Sequence, residues 1–351
     1  MISEVKMVEK WGGGINRRVF MKIQFTHNFE EIVSIENLLE AWKEFARGKK
    51  QKKDVQFFQV NFMENVLSLG NDLLYHTYKH GNYQAFKIGD PKPRDIHKAT
   101  VRDRLLHHAI YRKLYPFFDR AFITDSYSCR LNKGTHKAIK RFQEFSNIVS
   151  KNNTKTCWVL KGDIKKFFAN IDHEILLRIL SQYIQDENIL WLLKRLINSF
   201  NAKRKSKVGL PLGNLTSQLF VNIYMNEFDQ FVKHKLKIKY YIRYADDFVL
   251  FSRNKKQQEE IILQIANFLR RELKLEMHPK KIILKTLFSG VDFLGWVNFP
   301  NYRVLRTTTK RRMMKRIKVK SNAQSINSYL GLLSHGNAKK LEAEILSIEE
   351  E

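Results

Sequence analysis

The stretch Tyr240–Ser252, YYIRYADDFVLFS, decides how the rest of the chain is read. Two runs of aromatic and β-branched residues, YYIRY and FVLF, flank Ala245-Asp246-Asp247, a pattern that predicts a tight β-hairpin with two carboxylates at its tip. Adjacent carboxylates repel, and apolar strands are a poor setting for both unless a cation joins them. Hard divalent ions such as Mg²⁺ favour oxygen ligands of this kind. Taken by itself, the hairpin reads equally as a solvated Asp-Asp turn.

Upstream, Thr156–Gly162 reads as a short strand (Cys157, Trp158, Val159, Leu160) that ends on Asp163. A helix follows, with Asp172 as its N-cap. Asp163 and Asp246 are 83 residues apart (246 minus 163). Two strand-borne carboxylates brought together can hold the metal pair that in-line phosphoryl displacement uses. Lys165, Lys166, Arg243 and Lys280 are the positive neighbours expected to keep them ionised.

The chain has 351 residues, 43% of them apolar, enough for a large core and two or three subdomains. Lys plus Arg number 63 against 35 for Asp plus Glu, and a net charge of +28 favours a polyanionic partner, nucleic acid before membrane. Two cysteines, Cys129 and Cys157, exclude a disulfide scaffold and provide no zinc spacing, so a reducing cytoplasm is the expected compartment. No apolar run approaches the roughly 20 residues of a membrane span, and Met1–Lys10 lacks a signal-peptide core.

Residues 1–55 read as an N-terminal extension, with Gly12-Gly13-Gly14, a helix-like Ile35–Arg47 and a basic patch at Lys49–Lys53. Apolar residues recur at helical spacing from Phe57 to Tyr78, where Gly81 stops the pattern. Phe86–Ile96, FKIGDPKPRDI, is a strand-and-turn segment carrying Lys87, Lys92 and Arg94, and Thr100–Phe118 is a helix. His97, His107 and His108 share no metal-ligand spacing. Ser126–His136, SYSCRLNKGTH, is a polar loop whose Arg130 and Lys133 either meet phosphate or cap the next helix. Gly209-Leu210-Pro211-Leu212-Gly213 is a turn that opens a long helix to about His234, and Gln257–Leu273 is amphipathic. Ile282–Leu284 and Asp292–Trp296 are strand-like. Arg303–Lys320 has no acidic residue, which favours a phosphate-backbone surface over a solvated helix face. Strands alternating with helices, and an acidic hairpin facing an acidic strand end, predict an α+β palm.

Together these segments resemble a reverse transcriptase from about Leu38 to Ala338. The resemblance rests on DIKKFF at 163–168, the GLPLG turn with its long helix, YADD at 244–247 and FLGW at 293–296, in the family's order and spacing. It implies a right-hand polymerase: fingers and palm over 56–302, with an antiparallel palm sheet carrying the YADD hairpin, and a basic helical thumb over 303–351. It also implies an RNA-directed DNA polymerase that uses two Mg²⁺ ions, for which Mn²⁺ can substitute. By that resemblance Asp163, Asp246 and Asp247 match the catalytic metal-binding aspartates, with the Ile164 carbonyl as a further ligand. Phe168 matches the bulky residue that excludes a ribose 2′-hydroxyl. Arg94, helped by Lys92, matches the fingers arginine on the incoming nucleotide, and Leu212 and Gln218 belong to the same nucleotide-binding set. Lys280 or Lys281 matches the general acid for pyrophosphate. Phe293, Leu294, Gly295 and Trp296 match the primer grip. Arg306, Lys310, Arg311, Arg312, Lys315 and Arg316 of the thumb, with Arg130 and Lys133, are the implied nucleic-acid contacts.

Leu212–Gln218, LGNLTSQ, departs from the Gln-Gly-x-x-x-Ser-Pro pattern of group II intron enzymes and is similar to the reverse transcriptases of diversity-generating retroelements. DPKPRDIHKATVRDRLLHHAIYRKLYPFFD, DSYSCRLNKGTH and SYLGLLSHGNA are similar to the same family. That likeness implies copying of a template RNA with errors at adenines, the cDNA then replacing a variable region of a target gene. Its implied partners are the template RNA, the RNA–DNA hybrid, deoxynucleotides and a small basic accessory protein. A retron-type enzyme is less similar, because the Val-Thr-Gly signature is missing, and a maturase is expected to carry more chain after its thumb. A defence-associated reverse transcriptase and a catalytically idle nucleic-acid-binding module are the alternative readings.

Overall fold

A computed structural model describes residues 23–89, 93–202, 206–319 and 323–349. Lys92 and the glycine run Gly12–Gly14 lie outside these residues. The chain divides into two compact units: one holds the described residues up to Ala121 together with Asp172–Ile223, and the other holds Phe122–Ile171 and the chain from Tyr224 on.

The first unit is mostly helical. Helices α1 (Phe29–Val33) and α2 (Ile35–Ala46) start where Asn28 and Ser34 cap the backbone N–H groups of Glu31 and Asn37. They bury Phe29, Ile32, Leu38, Ala41 and Phe45, so from Phe29 onward the expected extension is core of this unit rather than an appendage. The helical pattern after Phe57 is broken in two at Asn61, between α3 (Lys53–Val60) and α4 (Phe62–Leu74). Strands β1 (Gln84–Ile88) and β2 (Arg94–Lys98) form an antiparallel hairpin, with Ile88 opposite Arg94. Helix α5 (Val101–Ala121) packs on α2, where the buried Asn37 amide donates to the Ala109 carbonyl at 3.1 Å. The chain then leaves for α6 (Thr135–Ser150) of the second unit. It returns with α7 (His173–Ser181), whose N-cap Asp172 accepts from Ile175 N–H at 3.0 Å as expected. Helix α8 (Glu187–Asn198) and the start of α9 (Leu215–Gln230) complete this unit. His107 is a buried brace: its Nδ1 lies 2.5 Å from the Thr216 hydroxyl, and burial pushes its pKa down to about 3.

The second unit is built on a sheet. Among the described residues its strands are β3 (Trp158–Asp163), β4 (Tyr241–Tyr244), β5 (Asp247–Ser252) and β6 (Ile283–Thr286), in the order β4-β5-β3-β6 and antiparallel throughout. Val159, Ile242, Val249 and Phe251 share a core cluster with Phe142 and Phe145 of α6. Phe248, next along β5, points to the other face and meets Phe228 of α9 with ring centroids 5.1 Å apart. Helix α9 continues through a π turn at Phe231–Lys235, close to the expected end at His234. Helix α10 (Lys255–Leu273) buries Ile261, Ile265, Leu269 and Leu273, the residues of its apolar stripe. Strands β7 (Val291–Phe293), β8 (Trp296–Asn298) and β9 (Arg303–Leu305) form a second antiparallel sheet. Helices α11 (Thr307–Val319), α12 (Ala323–Leu333) and α13 (Lys339–Glu349) close around Met313, Ile317, Ile326, Leu333 and Ile345.

One buried ion pair ties the hairpin to α9. Asp229 accepts from Arg243 Nε at 2.8 Å, from Arg243 Nη2 at 2.7 Å and from the Tyr241 hydroxyl at 2.7 Å. The remaining guanidinium donors reach the Ser126 hydroxyl (3.0 Å) and the Ala245 carbonyl at the hairpin tip (3.1 Å). Both charged side chains are at most 1% exposed. Arg243→Met leaves Asp229 buried without its counter-ion and is expected to destabilise the second unit by about 3–5 kcal/mol. Arg243→Met/Asp229→Leu should recover much of that loss, as read from urea unfolding followed by circular dichroism.

Candidate active site

The register between β3 and β5 builds the site. Asp163, the last residue of β3, is the cross-strand partner of Asp247, the first of β5. Tyr244 pairs with Asp247, so the turn between them is the two residues Ala245-Asp246, with Ala245 at φ +54°. The tip is therefore one residue shorter than the sequence pattern suggests, and Asp247 belongs to the strand rather than the turn. By strand alternation Val159, Lys161 and Asp163 share one face with their partners Phe251, Val249 and Asp247. That face is apolar at one end and acidic at the other. Gly162 lies beneath the Phe248 ring: a Cβ there would sit 2.2 Å from it, so only glycine lets the two strands carry this ring beside the carboxylates.

Burial and like charge act on these groups together. Burial first, then the charges of Asp247 and Asp163, push the Asp246 carboxyl up to about 6. Burial also raises Asp247, against the pull of Lys161, whose Nζ is 3.8 Å from its Oδ1. Lys281 Nζ donates to both oxygens of Asp163, at 2.9 and 2.8 Å. It is placed there by the 3-10 turn Pro279–Lys281, which is docked by the His278 N–H on the Asp163 carbonyl at 2.7 Å. Lys280 has an exposed side chain, so Lys281 is the lysine that reaches the carboxylates. The expected positive neighbours are corrected accordingly. Arg243 is paired to Asp229 while its charge also reaches Asp246, Lys165 lies 3.7 Å from Glu276 at the surface, and Lys161 and Lys281 face the acids. Lys161 was not singled out from sequence. Its position two residues before Asp163, on the same strand face, was the available signal.

Among the described residues, no three His, Cys, Asp or Glu side chains are already grouped as a metal cage. The donor chemistry nevertheless fits a hard divalent cation: three carboxylates meet at a strand end and turn, and their mutual repulsion is what a cation would relieve. Ile164, the residue whose carbonyl was expected to assist, is buried in a bridge opposite Met277.

Four residues after Asp163, Phe167 is buried, whereas Phe168 in the 3-10 turn Phe167–Asn170 is only half-buried, with the two rings 5.6 Å apart and interplanar 74°. In the β7–β8 hairpin Phe293 and Trp296 are 0% and 1% exposed. Their side chains are core, with Gly336 against the Trp296 ring, and the turn residues Leu294 and Gly295 are the half-buried ones of this segment. Arg130 donates to the Ile123 and Ser126 carbonyls, and Lys133 to the Thr124 carbonyl, so both brace their own loop. The basic segment from residue 303 on also finds acids: Arg306 pairs with Asp292, and Lys310 lies 3.8 Å from Glu344. Arg311, Lys315 and Arg316 are exposed and Arg312 is half-buried. In the first unit, Arg94 is exposed at the start of β2, and the Leu212 carbonyl accepts the His97 N–H at 2.9 Å. Leu212 and Gln218 are half-buried, and Gly213 takes φ +114°, which turns the chain into α9.

A strand end and a hairpin tip thus converge on acidic side chains, and comparison with known proteins gives the family. The family model described as reverse transcriptase (RNA-dependent DNA polymerase) matches residues 86–298, and the chain belongs to that family. It is 27% identical over 258 residues to Protein YkfC of Escherichia coli (strain K12), covering 61% of this chain and 67% of YkfC. It is 24% identical over 325 residues to the group II intron-encoded protein LtrA of Lactococcus lactis subsp. cremoris, covering 74% of this chain and 52% of LtrA. The chain thus spans about half the length of that intron-encoded relative. A solved structure of apo telomerase from Candida tropicalis, truncated from its C-terminal domain, aligns with a TM-score of 0.45 and 14% identity, over 70% of this chain and 59% of that one. Among the described residues no helix is long and apolar enough to cross a membrane.

The raised Asp246 value has a sign that can be measured. Between the ordinary carboxylate range and about 6, the folded chain holds a proton that the unfolded chain has released. Without divalent ions, stability is therefore greatest below that window and falls as pH rises through it. Asp246→Asn should flatten the dependence and raise stability near pH 7 by about 2 kcal/mol. Thermal unfolding in a chelator from pH 4.5 to 7.5 checks both points.

Proposed function

We propose that this chain is the RNA-directed DNA polymerase of a diversity-generating retroelement, copying a template RNA into adenine-mutagenised cDNA. The observation that carries the catalytic part is the cross-strand pairing of Asp163 with Asp247, beside Asp246 and under Lys281. In this reading Asp163, Asp246, Asp247 and the Ile164 carbonyl hold two Mg²⁺ ions, which Mn²⁺ can replace. When bound, the ions lower the pKa of the primer 3′-hydroxyl and stabilise the leaving oxygen of the triphosphate. Lys281 orients Asp163 through both carboxylate oxygens, and it is the proton donor for departing pyrophosphate; its contact with Asp163 favours it over Lys280. Lys161 favours the ionised form of Asp247.

The half-open Phe168 ring lies under the deoxyribose and leaves no volume for a 2′-hydroxyl, while the buried Phe167 supports it. Arg94 and Lys92 hold the triphosphate. Leu212 and Gln218 contact the incoming nucleotide, and the exposed arginines and lysines of α11 bind the backbone of the RNA–DNA hybrid. A small basic accessory protein joins the template RNA as a partner. The retroelement assignment is supported by Leu212, where related enzymes carry glutamine. The likeness to the group II intron-encoded protein LtrA favours a second reading, a group II-like reverse transcriptase with no diversification role. A near-repeat pair of sequences differing at adenines beside the gene separates the two readings.

Two measurements test the assignment. Asp246→Asn should lower primer extension on an RNA template by several powers of ten, because metal stabilisation of the transition state is worth several kcal/mol. RNA binding should survive, and extension within about tenfold of the unsubstituted chain would sink the metal assignment. Leucine at 212 offers contact area without direction, so a misplaced nucleotide loses little, typically about 1–3 kcal/mol for an apolar contact. Leu212→Gln should therefore lower misincorporation opposite template adenine more than it lowers correct incorporation. Single-nucleotide insertion kinetics read the ratio, and an unchanged ratio assigns Leu212 to packing of the turn.

A further inference from the structure

Within the first unit, a cavity of about 490 Å³ lies between the segment after α4 and the last turns of α8. Lys79, Lys194 and Arg195 line it, all three exposed, and none has an acidic partner among the described residues. A helix C-terminus attracts basic side chains by itself, which would account for Lys194 and Arg195. Lys79 arrives from a separate segment, so the helix end does not explain the third charge.

The rest of the cavity is built and fixed. Trp191 forms its wall, clamped by the His76 ring at 4.3 Å and 13° and touched edge-on by Phe29 at 6.4 Å. The Arg195 guanidinium lies 5.8 Å over the indole. His80 is at the base with only 3% of its side chain exposed. Its Nδ1 is held by the Gly81 carbonyl at 2.6 Å, and its Nε2 lies 3.3 Å from the Tyr83 hydroxyl. Ser199 donates to the Leu196 carbonyl at 2.6 Å and bonds the same Tyr83 hydroxyl at 2.8 Å. A second hollow, about 470 Å³, shares Trp191 and Lys194 and adds Arg178, with Glu187 as the acid on its rim. Two basic hollows joined across one aromatic side chain suit a linear polyanion better than a compact ligand. A rigid ring flanked by cations is what an unstacked base and its neighbouring phosphates require.

We propose that these two hollows form a track for a single strand of RNA, with phosphates on Lys79, Lys194, Arg195 and Arg178 and a base against Trp191. The track would hold template outside the catalytic duplex, and in that respect the inference rests on the polymerase reading. The test uses the full chain without primer or deoxynucleotides. A fluorescein-labelled RNA of roughly 12 nucleotides, free of self-complementarity, is titrated by anisotropy across a salt series. Lys79→Gln/Lys194→Gln/Arg195→Gln should weaken binding about tenfold or more near physiological salt and reduce the salt slope by about 2. The comparison is Lys256→Gln/Arg270→Gln/Arg271→Gln on the exposed side of α10, which removes the same charge elsewhere. Unchanged affinity in the first variant overturns the proposal. An equal loss in both overturns it too, because net charge rather than this cavity would then carry the binding. Extension from a pre-annealed hybrid, measured on the same variants, keeps the two readings apart. A chain that extends normally while its RNA affinity ignores the cavity refutes the track alone. A chain that binds RNA through the cavity but cannot extend refutes the polymerase reading alone.

Discussion

Asp163 and Asp247 face each other across β3 and β5, and like charges directly opposite in a sheet repel. The second unit contains several devices that hold them there. The glycine at 162 leaves room for the Phe248 ring over the strand, so the pair cannot slide without displacing a buried aromatic. The guanidinium of Arg243 grips the hairpin from within, bonded at once to Asp229 of α9 and to the Ala245 carbonyl at the tip. Lys161 and Lys281 then supply the local positive charge. Without such anchoring a two-residue turn carrying Asp246 could splay and relieve the repulsion. With it, the acids stay close together.

The excess of cations is divided between two tasks. Arg243, Arg130 and Arg306 face carbonyls and carboxylates of the chain itself and stiffen loops and hairpins. Lys79, Lys194, Arg195, Arg311 and Lys315 are exposed. The count of 63 basic side chains therefore overstates the charge free to meet a polyanion, since several pair with acids inside the fold; the net charge of +28 already subtracts those acids. Arginine suits the internal role because its planar fork satisfies several acceptors in fixed directions. At the surface, either residue type can neutralise a phosphate.

The aromatic residues show the same division. Phe167 and Phe168 are adjacent in sequence, yet one is core and the other keeps an open side, because a 3-10 turn sends neighbouring side chains in different directions. Phe293 and Trp296, which bracket a two-residue turn, are both buried, since the two positions of a β-hairpin nearest its turn share one face of the pair.

Local chemistry by itself determined much of this protein. Strand alternation and turn residues marked the acidic hairpin and the strand ending at Asp163, Asp172 announced a helix start, and apolar spacing outlined α10. These are properties of neighbouring residues, and neighbours are what a sequence lists. The tertiary structure alone decided the length of the hairpin turn, the contact of Lys281 with Asp163, the company of Lys161, and the burial of Arg243 with Asp229. It also joined Phe29 onward to the first unit's core and brought Lys79 beside Lys194 and Arg195. Each of these depends on register or on packing between segments far apart in the chain. A shift of one residue in β3 against β5 would reverse the face of every side chain involved. That register is selected by the buried rings and the ion pair acting together, which no single stretch of the sequence contains.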